Sequence, residues 1–143
     1  MLEMLRERKE ALKAEGKKGF TLMEMLIVIA IIAILIAIAI PVFTTQLERA
    51  GEAADAANIR AAYAEVMADY IMNPQSPTQH DEVTLQQGQE GWQNTDIENG
   101  LKNLETDSTS GLQVEITGTP TGHGKASFSV TTGTDPKLTI DLE

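Results

Sequence analysis

An acid stands at the entrance to a long greasy segment. Glu24 ends "GKKGFTLME" at 16–24, and residues 25–43, "MLIVIAIIAILIAIAIPVF", follow without a single charge. An ionised carboxylate costs roughly 2.5–3.5 kcal/mol at the centre of a membrane helix and less near its end. Glu24 must therefore reach the interface by snorkelling or meet a cation. Other residues offer little chemistry. His80, Asp81 and Glu82 provide nitrogen and oxygen ligands, but consecutive residues do not readily converge on one ion, so a solvated loop is expected there. His123 lies far away in sequence, and "TTGTDP" at 131–136 has Asp135 as its single acid for a calcium loop. No glycine-rich phosphate loop, nucleophile elbow or catalytic pair is present. Cysteine is absent, which excludes disulfides, thiolate metal sites and a cysteine nucleophile. The expectation is a protein that is not an enzyme, with no cofactor and no metal.

The elements that carry these residues are legible in the periodicity. The nineteen uncharged residues make a helix of about 28 Å, enough to cross a bilayer. Helical spacing continues in Ile59, Tyr63, Val66, Met67, Tyr70 and Ile71, an apolar stripe on an otherwise polar helix. "NPQSP" at 73–77 ends it, because Pro74 disfavours helical geometry at Asn73. One helix over about 21–73 is predicted, with a kink or melted turn near Ala37 caused by Pro41 and a soft point at Gly51. Near the C-terminus "LQVEI", "ASFSV" and "LTIDL" alternate with period two, pointing Leu112, Val114, Ile116, Ala126, Phe128, Val130, Leu138, Ile140 and Leu142 to one face. These read as a three-stranded antiparallel meander laid on the helix stripe, an α+β fold. Between them, "TDIE" at 95–98 is read as a capping box for a short helix with Ile97, Leu101 and Leu104 on one side. Trp92 is read as a buried anchor in preference to a surface contact.

Charge orients the chain. The net charge of −10 divides into +2 over residues 1–19, with six Lys/Arg against four Glu, and −12 over the rest. The positive-inside rule places the N-terminus in the cytoplasm and the acidic body outside. Such a body is repelled by phosphate backbones, so no direct nucleic-acid binding is expected. A cleaved secretory signal with "AIA" at 37–39 and a simple membrane anchor both explain the apolar run, but neither gives Glu24, Pro41 and "KKGF" a reason.

Together, "KKGFTLMEMLIVIAIIAILIAIAIP" resembles the class III signal of type IV pilins and pseudopilins. The resemblance implies that a prepilin peptidase cuts between Gly19 and Phe20 and N-methylates Phe20. Glu24 then becomes the fifth residue of the mature chain and Pro41 the twenty-second, both at the family's positions. It further implies that Phe20, Glu24 and Pro41 serve assembly: the α-amine created at Phe20, with a reference pKa of about 8, pairs with Glu24 of a neighbouring copy and sets the stagger. Small residues Ala30, Ala33, Ala37 and Ala39 let such helices approach closely. The absence of a disulfide is similar to the cysteine-free pilins of Gram-positive bacteria. The expected organisation is a cleaved leader over 1–19, a membrane and filament-core helix over 20–43, its amphipathic half over 44–73, an αβ-loop over 74–110 and a β-meander over 111–143. The implied partners are further copies of the chain, prepilin peptidase, the pilus assembly platform and, before assembly, the cytoplasmic membrane. A major pilin is the leading expectation, with a minor pilin or pseudopilin as the alternative. From another class comes a monomeric membrane-anchored binding domain.

Overall fold

The computed structural model describes residues 1–16, 19–106 and 110–143. It divides into two compact units, Met1–Val42 and Phe43–Glu143. In the first unit, helix α1 covers Leu2–Gly16, and helix α2, Leu22–Met72, begins. The helix assignment of α2 is unbroken through Pro41, so the melted turn expected near Ala37 is absent. Proline removes one N–H from the ladder, but the helix continues on both sides, where propagation is cheap compared with nucleating a second helix. Its end is as predicted: Asn73 N–H still donates to the Asp69 carbonyl, and Pro74 follows.

In the second unit the latter part of α2 supplies the stripe. Ala56, Ile59, Ala62, Tyr63, Val66 and Met67 are buried, Tyr70 is partly buried, and Ile71, expected in the stripe, is exposed. They form one core with Leu85, Leu101, Leu112, Val114, Ala126, Phe128, Leu138, Ile140 and Leu142. Ile116 and Val130 pack at its margin.

The sheet corrects the meander. It has four strands, β1 (Val83–Thr84), β2 (Gln113–Gly118), β3 (Lys125–Thr131) and β4 (Lys137–Leu142), in the order β1-β3-β4-β2. β3 and β4 form the expected antiparallel hairpin with Phe128 opposite Ile140, but β2 runs parallel to β4, with Ile116 opposite Ile140. β4 thus lies between β2 and β3. The six residues 119–124 extend to about 20 Å, ample to step over one strand at 4.7–4.9 Å spacing. The extra strand β1 pairs antiparallel with β3 at Val83 and Ala126.

The segment predicted as an αβ-loop holds the expected short helix, α3, Thr95–Lys102, and a 3-10 turn, Asn103–Thr106; its residues 107–109 lie outside the described residues. The N-cap of α3 is Asn94 and not Thr95: its side-chain oxygen accepts from Asp96 N–H at 3.0 Å. Asparagine is at least as good a cap as threonine, so the helix starts one residue earlier than the box at 95–98 implies. Leu101 is buried and Ile97 and Leu104 are partly buried, the side named from spacing.

Candidate functional site

The helix start that carries Glu24 is built by two reciprocal hydrogen bonds. Thr21 N–H donates to Glu24 Oε2 at 2.8 Å, and Glu24 N–H donates to Thr21 Oγ1 at 3.2 Å. This is a capping box, satisfying two of the orphan amides at a helix N-terminus, where the dipole also favours a carboxylate. "TLME" at 21–24 has the spacing of such a box, a role for Glu24 beside the pairing with a neighbouring copy that the resemblance implies. Gly19 lies in a bend and Phe20 is 79% exposed, just ahead of the cap. Lys17 and Lys18 fall outside the described residues. Beyond Glu24 every residue from Met25 to Phe43 is exposed, including the four alanines and Pro41. The helix is long and apolar enough to cross a membrane, and none of its most hydrophobic window is buried within the chain. A surface of that size without protein cover needs lipid or other helices.

A second cluster on α2 positions the exposed body. Glu48, Glu52 and Asp55 fall on one helix face at i, i+4 and i+7. Each carboxylate clamps backbone amides of the segment 86–94. Asp55 accepts from Gln86 N–H at 2.6 Å and Gln87 N–H at 2.9 Å; Glu52 accepts from Gln93 N–H at 2.5 Å and Asn94 N–H at 2.9 Å. Glu48 accepts from Gly88 and Gln89 N–H at 2.9 Å each. Glu52 and Asp55 are fully buried, and buried carboxylates are tolerable only when hydrogen-bonded in this way. No sequence signal named these three acids.

Gly51, expected as a soft point, instead admits the clamped segment. A Cβ there would meet Gln87 Cα at 3.2 Å and Gln87 N at 3.3 Å. At an exposed helix site Gly→Ala is worth up to about 1 kcal/mol of added stability. Here Gln87 is held by Asp55 and cannot retreat, so Gly51→Ala is expected to lower the melting temperature, measured by thermal denaturation of the full chain in detergent.

His80 is not a solvated loop residue. Its Nε2 lies 2.5 Å from Glu65 Oε2, its Nδ1 2.7 Å from the Asp81 carbonyl, and its ring meets Phe128 edge-on at 5.6 Å. Both nitrogens face acceptors, so only the imidazolium satisfies both. The Glu65 hydrogen bond, and after it the Asp81 carbonyl, raise its pKa above the ordinary 6.5. The folded-state pKa being the higher, the contact stabilises fully below about pH 6.5 and is lost as pH rises through the raised value. The stability difference between wild type and His80→Gln is therefore expected to shrink between neutral and alkaline pH, read by thermal melts across that range.

The remaining candidates take structural places. His123 occupies a turn at φ 58°, its N–H donating to the Gln87 carbonyl at 2.8 Å. Trp92 is partly buried against the core. Asp135 lies in the exposed β3–β4 turn, and among the described residues no three metal-ligating side chains gather.

Comparison with known proteins bears on the first cluster. Residues 16–40 match the family described as the prokaryotic N-terminal methylation motif. The type IV narrow pilus major component PilA5 of Thermus thermophilus is 54% identical over 50 residues, which cover 33% of this chain and 43% of that protein. The chain thus matches less than half the length of that curated relative. No solved structure matches. The capped, unburied apolar helix and the methylation motif coincide on the same residues, and over that segment the chain is similar to a type IV pilin.

Proposed function

We propose that this chain is a structural subunit of a type IV pilus or related extracellular filament. It is inserted as a single-pass precursor in the cytoplasmic membrane with its N-terminus inside. Prepilin peptidase cuts between Gly19 and Phe20 and methylates Phe20. The assembly platform then transfers α2 from lipid to a helical polymer of the same chain. The observation that carries this reading is Glu24 at the mouth of an apolar helix that has no cover among the described residues.

Each residue has a physical task. The cut leaves Phe20 with an ammonium near neutral pH, a charge that is expensive among apolar side chains. Glu24 of an adjacent copy offsets it, and only one axial stagger brings the two together, so the pair selects register more than it adds affinity. The exposed isoleucines and leucines exchange lipid for protein contact at little net hydrophobic cost, with Ala30, Ala33 and Ala37 allowing close approach. Pro41 leaves the Ala37 carbonyl without its ladder N–H, a weak point at which the shaft can extend under load. The relative's name, a major pilus component, together with an intact Glu24, favours a cysteine-free major pilin over a minor pilin or pseudopilin. Adhesion, twitching motility and DNA uptake are the activities of such filaments.

A second reading has one observation in its favour. The Thr21–Glu24 box gives the carboxylate an intrachain role, as a monomeric membrane-anchored binding domain requires. Intact mass of the native protein separates the two. A pilin lacks residues 1–19 and carries one added methyl on Phe20, whereas a plain anchor retains them.

A further inference from the structure

We infer that α1 is an interfacial helix, laid on the anionic headgroups of the cytoplasmic leaflet, and that it holds the Gly19–Phe20 bond at the water–lipid boundary. The inference rests on the membrane reading above and adds a binding surface to the leader. Helical spacing sorts most positions of α1 by type; Leu2, which falls beside Lys9 and Lys13, and position 15, a glutamate on the apolar side, depart from the pattern. Met1, Met4, Leu5 and Leu12 fall on one face, at separations of one and two turns, and all are strongly exposed, Leu5 at 59% and Met4 at 74%. Glu3, Glu7 and Glu10 fall at i, i+4 and i+7 on the opposite face. Arg6, Lys9 and Lys13 line one boundary between these faces. Arg8 lies within the apolar face, where its stem can lie along lipid and its guanidinium can rise to the headgroups.

A solvated helix has no need of even this partial segregation, whereas a helix lying in a membrane surface uses it: apolar side chains down, cations level with lipid phosphates, most acids towards water. The occupant follows from position as well as from charge. Six Cα steps, at most about 22 Å, separate Gly16 from Leu22, so the end of α1 cannot move farther than that from the start of α2. The nearest apolar surface that complements its cations is therefore the leaflet that α2 enters. Docked there, the leader keeps the bond at 19–20 close to the cytoplasmic face, the side on which the proposed cut is made.

The absence of cysteine makes the test direct. Full-length protein with single substitutions L5C, E10C or I32C is spin-labelled and reconstituted in vesicles of phosphatidylcholine, with or without phosphatidylglycerol. In anionic vesicles, collision of the Leu5-site label with an aqueous nickel complex is expected to be several-fold lower than at the Glu10 site, and to rise in phosphatidylcholine alone. Equal exposure at the two sites in anionic vesicles, with the Ile32 site protected, overturns the leader inference and leaves the filament reading standing. Protection of the Leu5 site that is unchanged without phosphatidylglycerol overturns the anionic-headgroup assignment. An exposed Ile32 site removes the membrane reading and this inference with it.

Discussion

Asp55→Ala is expected to lower the melting temperature of the second unit by roughly 12 °C or more, and to expose the Gln86 and Gln87 amides to hydrogen exchange. The size follows from burial. Asp55 has no solvent exposure and both of its oxygens accept a backbone N–H. Hydrogen bonds to charged groups are worth about 1.5–3 kcal/mol each, and the amides left behind keep their desolvation penalty. A total of about 3–5 kcal/mol corresponds to the stated shift, at about 4–8 °C per kcal/mol for a unit of this size. Asp55→Asn is no rescue, because its amide would turn one donor against another at Gln86 or Gln87. Glu48→Ala is the internal control. That carboxylate is only half-buried and its bonds are open to solvent, so water replaces it at a cost of about 1 kcal/mol. A melting curve of Asp55→Ala that overlays wild type would mean that α2 does not anchor the loop. Trp92, the single tryptophan, sits five residues past Gln87 and reports the transition by fluorescence.

The contrast between Asp55 and Ile59 explains how far the sequence could be read. Ile59 belongs to a periodic apolar stripe, and periodicity survives in sequence because it reflects a whole helix face meeting one core. Asp55 reads as one more solubilising acid, since its partners are backbone amides 31 and 32 residues away, which any residue type presents. The same limit applies to Glu52, whose partners lie 41 and 42 residues on. Strand faces were legible and strand order was not. Val114, Phe128 and Ile140 alternate in the same way whether β4 closes the sheet or is inserted beside β2. The two-residue β1 is too short for any alternation to show. Gly51 illustrates a different failure: flexibility is the common reason for glycine in a helix, and close approach of another backbone leaves no mark in the local sequence. Thr21 and Glu24 are legible as a capping box from their spacing alone, which is compatible with a second role for Glu24.

Those two roles separate under Glu24→Gln and Glu24→Ala. On the proposed reading both variants should still lose residues 1–19, because the proposed cut precedes the helix. Glutamine completes a capping box as glutamate does, so Glu24→Gln is expected to keep the start of α2 intact, whereas Glu24→Ala loses about 0.5–2 kcal/mol of cap and frays the first turn. Assembly ranks the variants differently. In the proposed polymer a neutral side chain leaves the neighbour's Phe20 ammonium unpaired in an apolar setting, at a cost of about 3–5 kcal/mol, which weakens each docking step by at least about a hundredfold. Both variants should therefore be nearly missing from sheared filaments when co-expressed with wild type, as measured by the variant-to-wild-type peptide ratio. Capping alone predicts another pattern, in which Glu24→Gln enters filaments like wild type and Glu24→Ala does not. The glutamine variant thus tests the charge itself, since it changes the ionisation of this side chain while keeping both the length and the hydrogen bonds that the helix start uses.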